Sequence, residues 1–258
     1  MHDELDIQMM CLDAITESEV NLINIQMSIK EDIKEKISIN INKIVEKIKE
    51  VLKKFISFFM NLYNKIYRAT EVHKKFIRQN KDQILKFEKG TSEIKISIAS
   101  AKPEYIESYL KESEDVLKKC EKMIYFKFNS KEEMAKAFSD ITYKMKNSAV
   151  GKLITELNTS KVPINVTKDH VIKAVNFIDK EFQNNEKDLL RYKERANEIS
   201  SKIIARVIRE TNTRAAHVYS LMAFHSYIIN FMSKAVSDMV KLNNVMLMDA
   251  LRICKTQL

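Results

Sequence analysis

Residues 29–67 of the chain read IKEDIKEKISININKIVEKIKEVLKKFISFFMNLYNKIY. Apolar residues recur there at alternating steps of four and three, which is the spacing of one stripe along the face of an α-helix. The stripe consists of Ile37, Ile41, Ile44, Ile48, Val51, Phe55, Phe58 and Leu62. Because no glycine or proline interrupts it, the pattern predicts a long amphipathic helix of coiled-coil type. In water, the stripe must be covered by another helix of the chain, by a second copy or by a membrane surface.

Glycine and proline are scarce throughout the 258 residues. The chain has two of each, Gly90, Gly151, Pro103 and Pro163, whereas average usage gives roughly 18 glycines and 13 prolines in this length. So few chain breakers predict few tight turns, long helices and few of the glycine-rich loops that bind phosphates. We therefore predict a mainly α fold, with long amphipathic helices in a bundle and a small α/β segment of two or three short strands in the middle.

The periodicity divides the chain into three regions. They are a helical region at 1–90, a small mixed α/β segment at 91–167 and a pair of long helices at 168–258. The first region in turn contains an acidic arm at 1–29, the basic heptad helix at 30–67 and a further helix at 70–89. Thr70 has the side chain of an N-cap for this further helix, and Gly90 can provide its C-terminal stop.

The middle segment alternates between strand and helix patterns. Strands are predicted at 94–98, 123–128 and 162–166, where apolar residues fall at every second position. Helices are predicted between them at Tyr105–Lys119 and at Lys131–Lys146, the second capped by Ser130. Pro163 suits an edge strand, because proline donates no hydrogen bond to a ladder. Thr167 then opens the long helical pair, with a break at 211–213 and a last helix that ends near Ile253.

Charge is distributed unevenly along the chain, whose net charge is +9. Residues 1–29 contain six acidic and no basic residues, whereas residues 30–89 contain sixteen basic and eight acidic residues. Opposite charges of this kind predict that the acidic arm is attracted to the basic helical block, within one chain or between copies. The lysine-rich usage is equally typical of an AT-rich genome, so the net charge does not by itself predict nucleic-acid binding.

The segment Ala215–Ser233 contains no charged residue over nineteen positions. Its length approaches that of a transmembrane helix. However, histidine, serine and asparagine side chains are scattered through it, whereas a spanning helix is dominated by leucine, isoleucine, valine and phenylalanine. The segment is therefore predicted to be a helix buried on most sides in protein. The candidate contact residues on it are Leu221, Phe224, Ile228 and Phe231.

Five basic residues are candidates for contact with phosphate groups or lipid. Lys53 and Lys54 border the aromatic end of the heptad helix, and Lys74, Lys75 and Arg78 follow in the next segment. Lysines beside a wide apolar face are typical of helices that lie on membranes. A solvated helix face is the alternative interpretation of the same pattern.

No catalytic, cofactor or metal site is predicted. The three cysteines, Cys11, Cys120 and Cys254, are far apart and match no metal-binding spacing. His217 and His225 are eight residues apart, about 12 Å along a helix, which is too far to bind one ion. The sequence contains no nucleotide-binding or metalloprotease motif. A protein without enzymatic activity is therefore expected.

Residues 11–19 (CLDAITESE), 58–63 (FFMNLY) and 73–82 (HKKFIRQNKD) resemble segments of virion structural proteins from tailed bacteriophages of Gram-positive bacteria. The resemblance covers about ninety N-terminal residues. It implies a capsid or head-tail connection component, made in the bacterial host cytoplasm, whose partners are other virion proteins and copies of itself. Two alternatives stay open: a membrane-acting protein that inserts one of its apolar helices, and a phage nucleic-acid-binding protein. No small-molecule substrate is implied.

Overall fold

The computed structural model describes residues 41–101, 104–128, 130–155, 161–210 and 215–258. The acidic arm 1–29, stripe residue Ile37 and the expected break at 211–213 lie outside the described residues. The helices and strands, in chain order, are α1 Ile41–Lys86, β1 Ser92–Ser97, α2 Ile98–Ala101, α3 Glu104–Met123, α4 Lys131–Lys146, α5 Ala149–Thr155, β2 Lys161–Val166, α6 Lys168–Asn176, a π-helical turn at Phe177–Glu181, α7 Phe182–Arg209 and α8 Ala215–Lys255. The predicted mainly α fold with a small sheet in the middle is confirmed.

Helix α1 is continuous through the position at which the sequence predicted a new helix to begin. Thr70 lies inside α1 and is not an N-cap, so that prediction was wrong. A single threonine costs a helix only about 0.7 kcal/mol relative to alanine, and no glycine or proline stands nearby to end it. The helix ends at Lys86, where Phe87 has a left-handed φ of 57°. Gly90, with a φ of 69°, lies in the following turn and donates its N–H to the Phe87 carbonyl at 3.4 Å.

The sheet has two antiparallel strands, β1 and β2. Their register places Ile94 opposite Ile164 and Pro163 opposite Lys95. Proline is compatible with β2 because, among the described residues, this strand pairs only with β1, and its other edge needs no N–H donor. The strands predicted near 94–98 and 162–166 are thus confirmed, although Ile98 already belongs to α2.

The strand predicted at 123–128 was wrong, because these residues form the turn between α3 and α4. The N–H of Phe126 donates to the Met123 carbonyl at 3.0 Å, as in a tight turn. Ile124 and Phe128 are buried, whereas Tyr125 and Phe126 are exposed. The alternation in the sequence therefore reflects a turn with buried residues at each end, a pattern that periodicity over so few residues cannot distinguish from a strand.

Side-chain caps start two of the predicted helices where the sequence placed them. The Ser130 hydroxyl accepts the Glu133 N–H at 3.1 Å and opens α4. Thr167 caps α6: its hydroxyl accepts the His170 N–H, while its own N–H donates to the His170 ring at 3.2 Å. This reciprocal pair is a capping box with histidine in the place of the usual glutamate.

Gly151 is required at the tight connection between α4 and α5. A Cβ atom there would collide with the carbonyl oxygens of Met145 and Lys146. The Gly151 N–H donates to the Ser148 hydroxyl at 3.0 Å. Only glycine allows this approach to the end of α4.

The chain forms two compact units, each built from three segments. Unit 1 contains residues 41–56, Leu117–Thr142 and Arg195–Ser237, and unit 2 contains Ser57–Val116, Tyr143–Glu194 and Asp238–Leu258. Each unit draws on all three of the regions that periodicity distinguishes in the sequence. Sequence-distant segments must therefore come together to complete either core.

Candidate interaction surfaces

The predicted stripe on α1 is largely covered by the chain itself. Ile44, Ile48 and Phe55 are at most 5% exposed, and Leu62 is 6% exposed. The remaining described members, Ile41, Val51 and Phe58, are half-buried.

Near the centre of α1, Phe59 is more deeply buried than the stripe residue Phe58. Phe59 is only 1% exposed, and its ring stacks on Tyr63 with centroids 6.0 Å apart. A straight α-helix drifts by about 20° per heptad from a strict seven-residue repeat, so the buried face moves off the predicted stripe. Ile77 and Ile84, both fully buried, continue the buried face beyond it.

The charge-free start of α8 is buried in unit 1 by aromatic side chains. Leu221, Phe224 and Ile228 are no more than 1% exposed, and Phe231 is half-buried. The Phe138 ring, on α4, has its centroid 6.3 Å from that of Phe224, 6.4 Å from that of Phe231 and 5.6 Å from that of Tyr227. Among the described residues, no helix combines the length and the hydropathy needed to cross a bilayer.

The five candidate basic residues differ in their surroundings. Lys53 is exposed, and Lys54 lies 3.3 Å from Glu50 in an exposed ion pair. Lys75 and Arg78 are exposed along a shallow groove of about 540 Å³ that Glu71, Val72 and Gln79 also line.

Lys74 does not belong to the exposed basic face. Its side chain is only 2% exposed, and its ammonium group lies 3.5 Å from the Glu71 carboxylate. Lys74 precedes Ile77 by three residues and Ile84 by ten, so helical periodicity places Lys74 on the same buried face of α1 as these two isoleucines. Lys74 is therefore not available for phosphate or lipid in this conformation.

The two histidines of α8 are both buried. The His225 Nε2 atom lies 2.8 Å from the Ser200 hydroxyl of α7, and Nδ1 has no hydrogen-bond partner within the described part of the chain. Burial lowers the pKa of His225 to about 3. Burial also lowers the pKa of His217, although the charge of Glu210 acts to raise it. Within the residues the structure describes, no group of three or more His, Cys, Asp or Glu side chains could hold a metal ion.

Asp249, on α8, connects three parts of unit 2. One carboxylate oxygen accepts the Ser97 N–H at 2.8 Å and the Ser100 hydroxyl at 2.7 Å, and the other accepts from Arg252 at 3.0 Å. Arg252 also donates to the Lys95 carbonyl at 2.9 Å. These bonds fix the end of β1 and the start of α2 against the last helix.

A second buried polar group in unit 2 joins three helices. The Tyr109 hydroxyl of α3 donates to Asp238 of α8 at 2.9 Å. One turn later, Ser113 of α3 shares a hydrogen bond of 2.5 Å with the Tyr192 hydroxyl of α7. Burial raises the pKa of both tyrosines, and the charge of Asp238 raises that of Tyr109 further. Both hydroxyl groups therefore stay protonated.

An ion-pair cluster connects α3 and α7 within unit 1. Glu121 accepts from Arg195 at 2.7 Å and from Lys202 at 2.5 Å. Glu198, which is more exposed, completes the cluster by accepting from both cations. Although burial acts to raise the pKa of Glu121, the hydrogen bonds from Arg195 and Lys202 hold it below its usual value. Sequence reasoning did not identify this cluster.

Comparison with known proteins does not assign the chain to a family. No protein-family model matches the chain, and neither the curated proteins nor the solved structures yielded a similar protein.

Proposed function

We propose that the protein is a non-enzymatic structural or assembly component of a tailed-phage virion, in the head or in the head-tail region. It acts by packing long helices and by contacts with other virion proteins and with copies of itself. The N-terminal resemblance supports the virion assignment. The packing of the polar side chains supports a structural role.

The observation that carries the structural role is the use of polar side chains as connectors between helices. Asp249 binds the sheet to α8, and Asp238 binds Tyr109. Glu121 joins two helices in the same way. Side chains of these types carry acid–base chemistry in enzymes, and here each is hydrogen-bonded to other parts of the chain. Such bonds specify the position of a helix more strictly than apolar contacts do.

Burial of the apolar faces favours protein packing over the membrane alternative. Phe55, Phe224 and Ile228 are each at most 3% exposed. Transferring such side chains from the protein core would forfeit about 1.5–3 kcal/mol each before any contact with lipid is made.

Mass spectrometry of purified phage particles tests the proposal. The protein should copurify with the particles through a density gradient and a high-salt wash, at a fixed copy number relative to the major capsid protein. A non-structural protein of the same phage, measured in the same fractions, is the control. Loss of the protein together with that control would contradict the virion assignment.

Binding assays with the purified protein separate the remaining alternatives. Under the proposal, the protein stays in the supernatant when anionic vesicles are pelleted. A DNA complex whose affinity falls by orders of magnitude between low and physiological salt would instead favour the nucleic-acid alternative. Lys75→Glu, at an exposed position, should weaken such a complex if the groove on α1 forms it.

A further inference from the structure

The turn between α3 and α4 holds two adjacent aromatic side chains in solvent. Tyr125 is 58% exposed and Phe126 is 54% exposed. On either side of them, Ile124 is fully buried and Phe128 is 9% exposed, with its ring centroid 6.3 Å from that of Phe224. Buried side chains thus hold the turn at both ends, and the two rings between them are exposed to solvent.

Four exposed lysines lie within seven positions of Tyr125 along the sequence. They are Lys118, Lys119, Lys122 and Lys127. Within the described ranges, none of the four lies within ion-pair distance of a carboxylate. Glu121, which lies beside Lys122 along α3, is already bound by Arg195 and Lys202. We name Lys118, Lys119, Lys122, Tyr125, Phe126 and Lys127 the basic aromatic turn.

The basic block on α1, which the sequence suggested as a target for the acidic arm, is partly neutralised by the chain itself. Lys54 pairs with Glu50 and Lys74 with Glu71. Arg78 and Lys81 both face Asp179. The basic aromatic turn combines exposed lysines with two exposed aromatic rings, a combination that fits an acidic segment with apolar residues.

Residues 1–29 have this composition. They carry six acidic and no basic residues, interspersed with apolar residues such as Leu5, Met9 and Leu12. Interfaces between proteins are poor in lysine unless an acidic partner compensates the charge. We propose that segment 1–29 docks on the basic aromatic turn of its own chain, with its apolar residues over Tyr125 and Phe126 and its carboxylates facing the lysines.

The covalent connection favours a contact within one chain. Residues 30–40 join the segment to Ile41, which begins α1 in unit 1, and the turn belongs to the same unit. Eleven residues span at most roughly 36–40 Å. Wherever a tether of this length spans the gap between two sites, it gives an effective concentration on the order of millimolar, well above that of a second copy in dilute solution.

Tryptophan fluorescence of the full chain tests this contact directly, because the protein contains no tryptophan. Phe126→Trp places a single indole in the basic aromatic turn. Docking should shield the indole from acrylamide. Quenching should therefore be at least about fivefold slower in Phe126→Trp with the natural arm than in Phe126→Trp with a neutralised arm. The neutralised arm replaces Asp3, Glu4, Asp6, Asp13, Glu17 and Glu19 by asparagine or glutamine. High salt should expose the indole in the same way, because it screens the charges.

Two matched controls make the result specific. Tyr143→Trp, at a tyrosine that is 65% exposed in unit 2, should be quenched equally with either arm. Replacing Lys118, Lys119, Lys122 and Lys127 by glutamate should expose the indole at position 126. Replacing the exposed α1 lysines Lys47, Lys49, Lys53 and Lys75 by glutamate should leave it shielded.

Three results would overturn the proposal. The first is fast quenching at position 126 with the natural arm. The second is shielding that arm neutralisation leaves unchanged, which would assign the surface to another occupant. The third is shielding that develops only as the protein concentration rises, which would place a second copy on the turn.

Discussion

The two ends of α8 are held in different ways. Its first part, Ala215–Ser233, carries no charge and is surrounded in unit 1 by apolar and aromatic side chains such as Phe138. Its last part, in unit 2, buries two carboxylates, Asp238 and Asp249, each hydrogen-bonded to another helix or to the sheet.

The two parts of α8 contribute in different ways. Burial of apolar side chains stabilises the fold, whereas the buried carboxylates select one arrangement of the helices. Apolar contacts are non-directional, so they stabilise the first part of α8 without fixing a single register. A buried carboxylate that loses a partner is strongly destabilising, so it tolerates one arrangement only. Loss of a buried apolar side chain should therefore cause the largest fall in the free energy of unfolding. Loss of a buried carboxylate should, in addition, loosen the groups that are hydrogen-bonded to it.

The largest effect is expected for Phe224→Ala, in the charge-free part. Phe224 is fully buried and contacts the rings of Phe128 and Phe138, so its removal leaves a cavity. The free energy of unfolding, measured in urea, should fall by about 3–5 kcal/mol. Ile208→Ala, at a residue that is 51% exposed, should change it by less than about 1 kcal/mol. Equal effects of the two variants would contradict the burial of this part of α8.

Asp249→Ala should destabilise the protein by about 3 kcal/mol, because it leaves the Ser97 N–H and Arg252 without their acceptor. Hydrogen exchange of the β1 amides should accelerate together with this loss. Asp169→Ala is the control, since the Asp169 side chain is 68% exposed and forms an exposed ion pair with Lys173. The control should cost less than about 1 kcal/mol. Unchanged exchange in β1 would show that Asp249 does not fix the strand.

His225 should make the charge-free part sensitive to acid. Its pKa is about 3 when buried, whereas an unfolded histidine has a pKa near 6.5, so protons bind preferentially to the unfolded chain. The stability is therefore complete above pH 6.5 and is lost as the pH falls toward 3. Between pH 8 and pH 5 the loss from this residue should be about 2 kcal/mol.

The variant His225→Gln isolates this contribution, because glutamine can still bind the Ser200 hydroxyl but does not titrate between these pH values. Urea unfolding at pH 8 and pH 5 should show a smaller pH difference in the variant than in the wild type. Identical pH differences would mean that His225 is already protonated, or solvated, in the folded protein.

The smallest effect is expected for Tyr109→Phe, which removes one hydrogen bond from Asp238 and keeps the ring. It should reduce the free energy of unfolding by about 1–2 kcal/mol. Tyr143→Phe, at a tyrosine of the same unit that is 65% exposed, is the matched control and should have a smaller effect. A larger effect for the control would show that the bond from Tyr109 to Asp238 contributes little to stability.

The regular elements could be predicted because their signals are local. The heptad spacing of α1, the alternation in β1 and the caps at Ser130 and Thr167 each depend on residues within a few positions. The same local reading is wrong at Thr70, where a residue type that favours the N-cap lies inside a continuous helix. It failed again at residues 123–128, where a turn imitates a strand.

The contacts that determine which helices and strands pack together could not be predicted from the local sequence pattern. Asp249 meets Ser97 across 152 positions of sequence, and Glu121 meets Arg195 across 74. A charged residue between apolar neighbours, as at Asp249 between Met248 and Ala250, indicates burial but does not identify its partner. The burial of Lys74 was foreseeable from its spacing to Ile77 and Ile84, but lysine was assigned to the surface by type.

Hydrogen exchange of the purified chain, measured at several protein concentrations with and without anionic vesicles, tests most directly whether the chain covers its own apolar faces. Amides in 44–62 and in 217–233 should be strongly protected at the lowest concentration, and neither a higher concentration nor vesicles should change this protection. Rapid exchange that slows only when copies associate or when vesicles are added would contradict it.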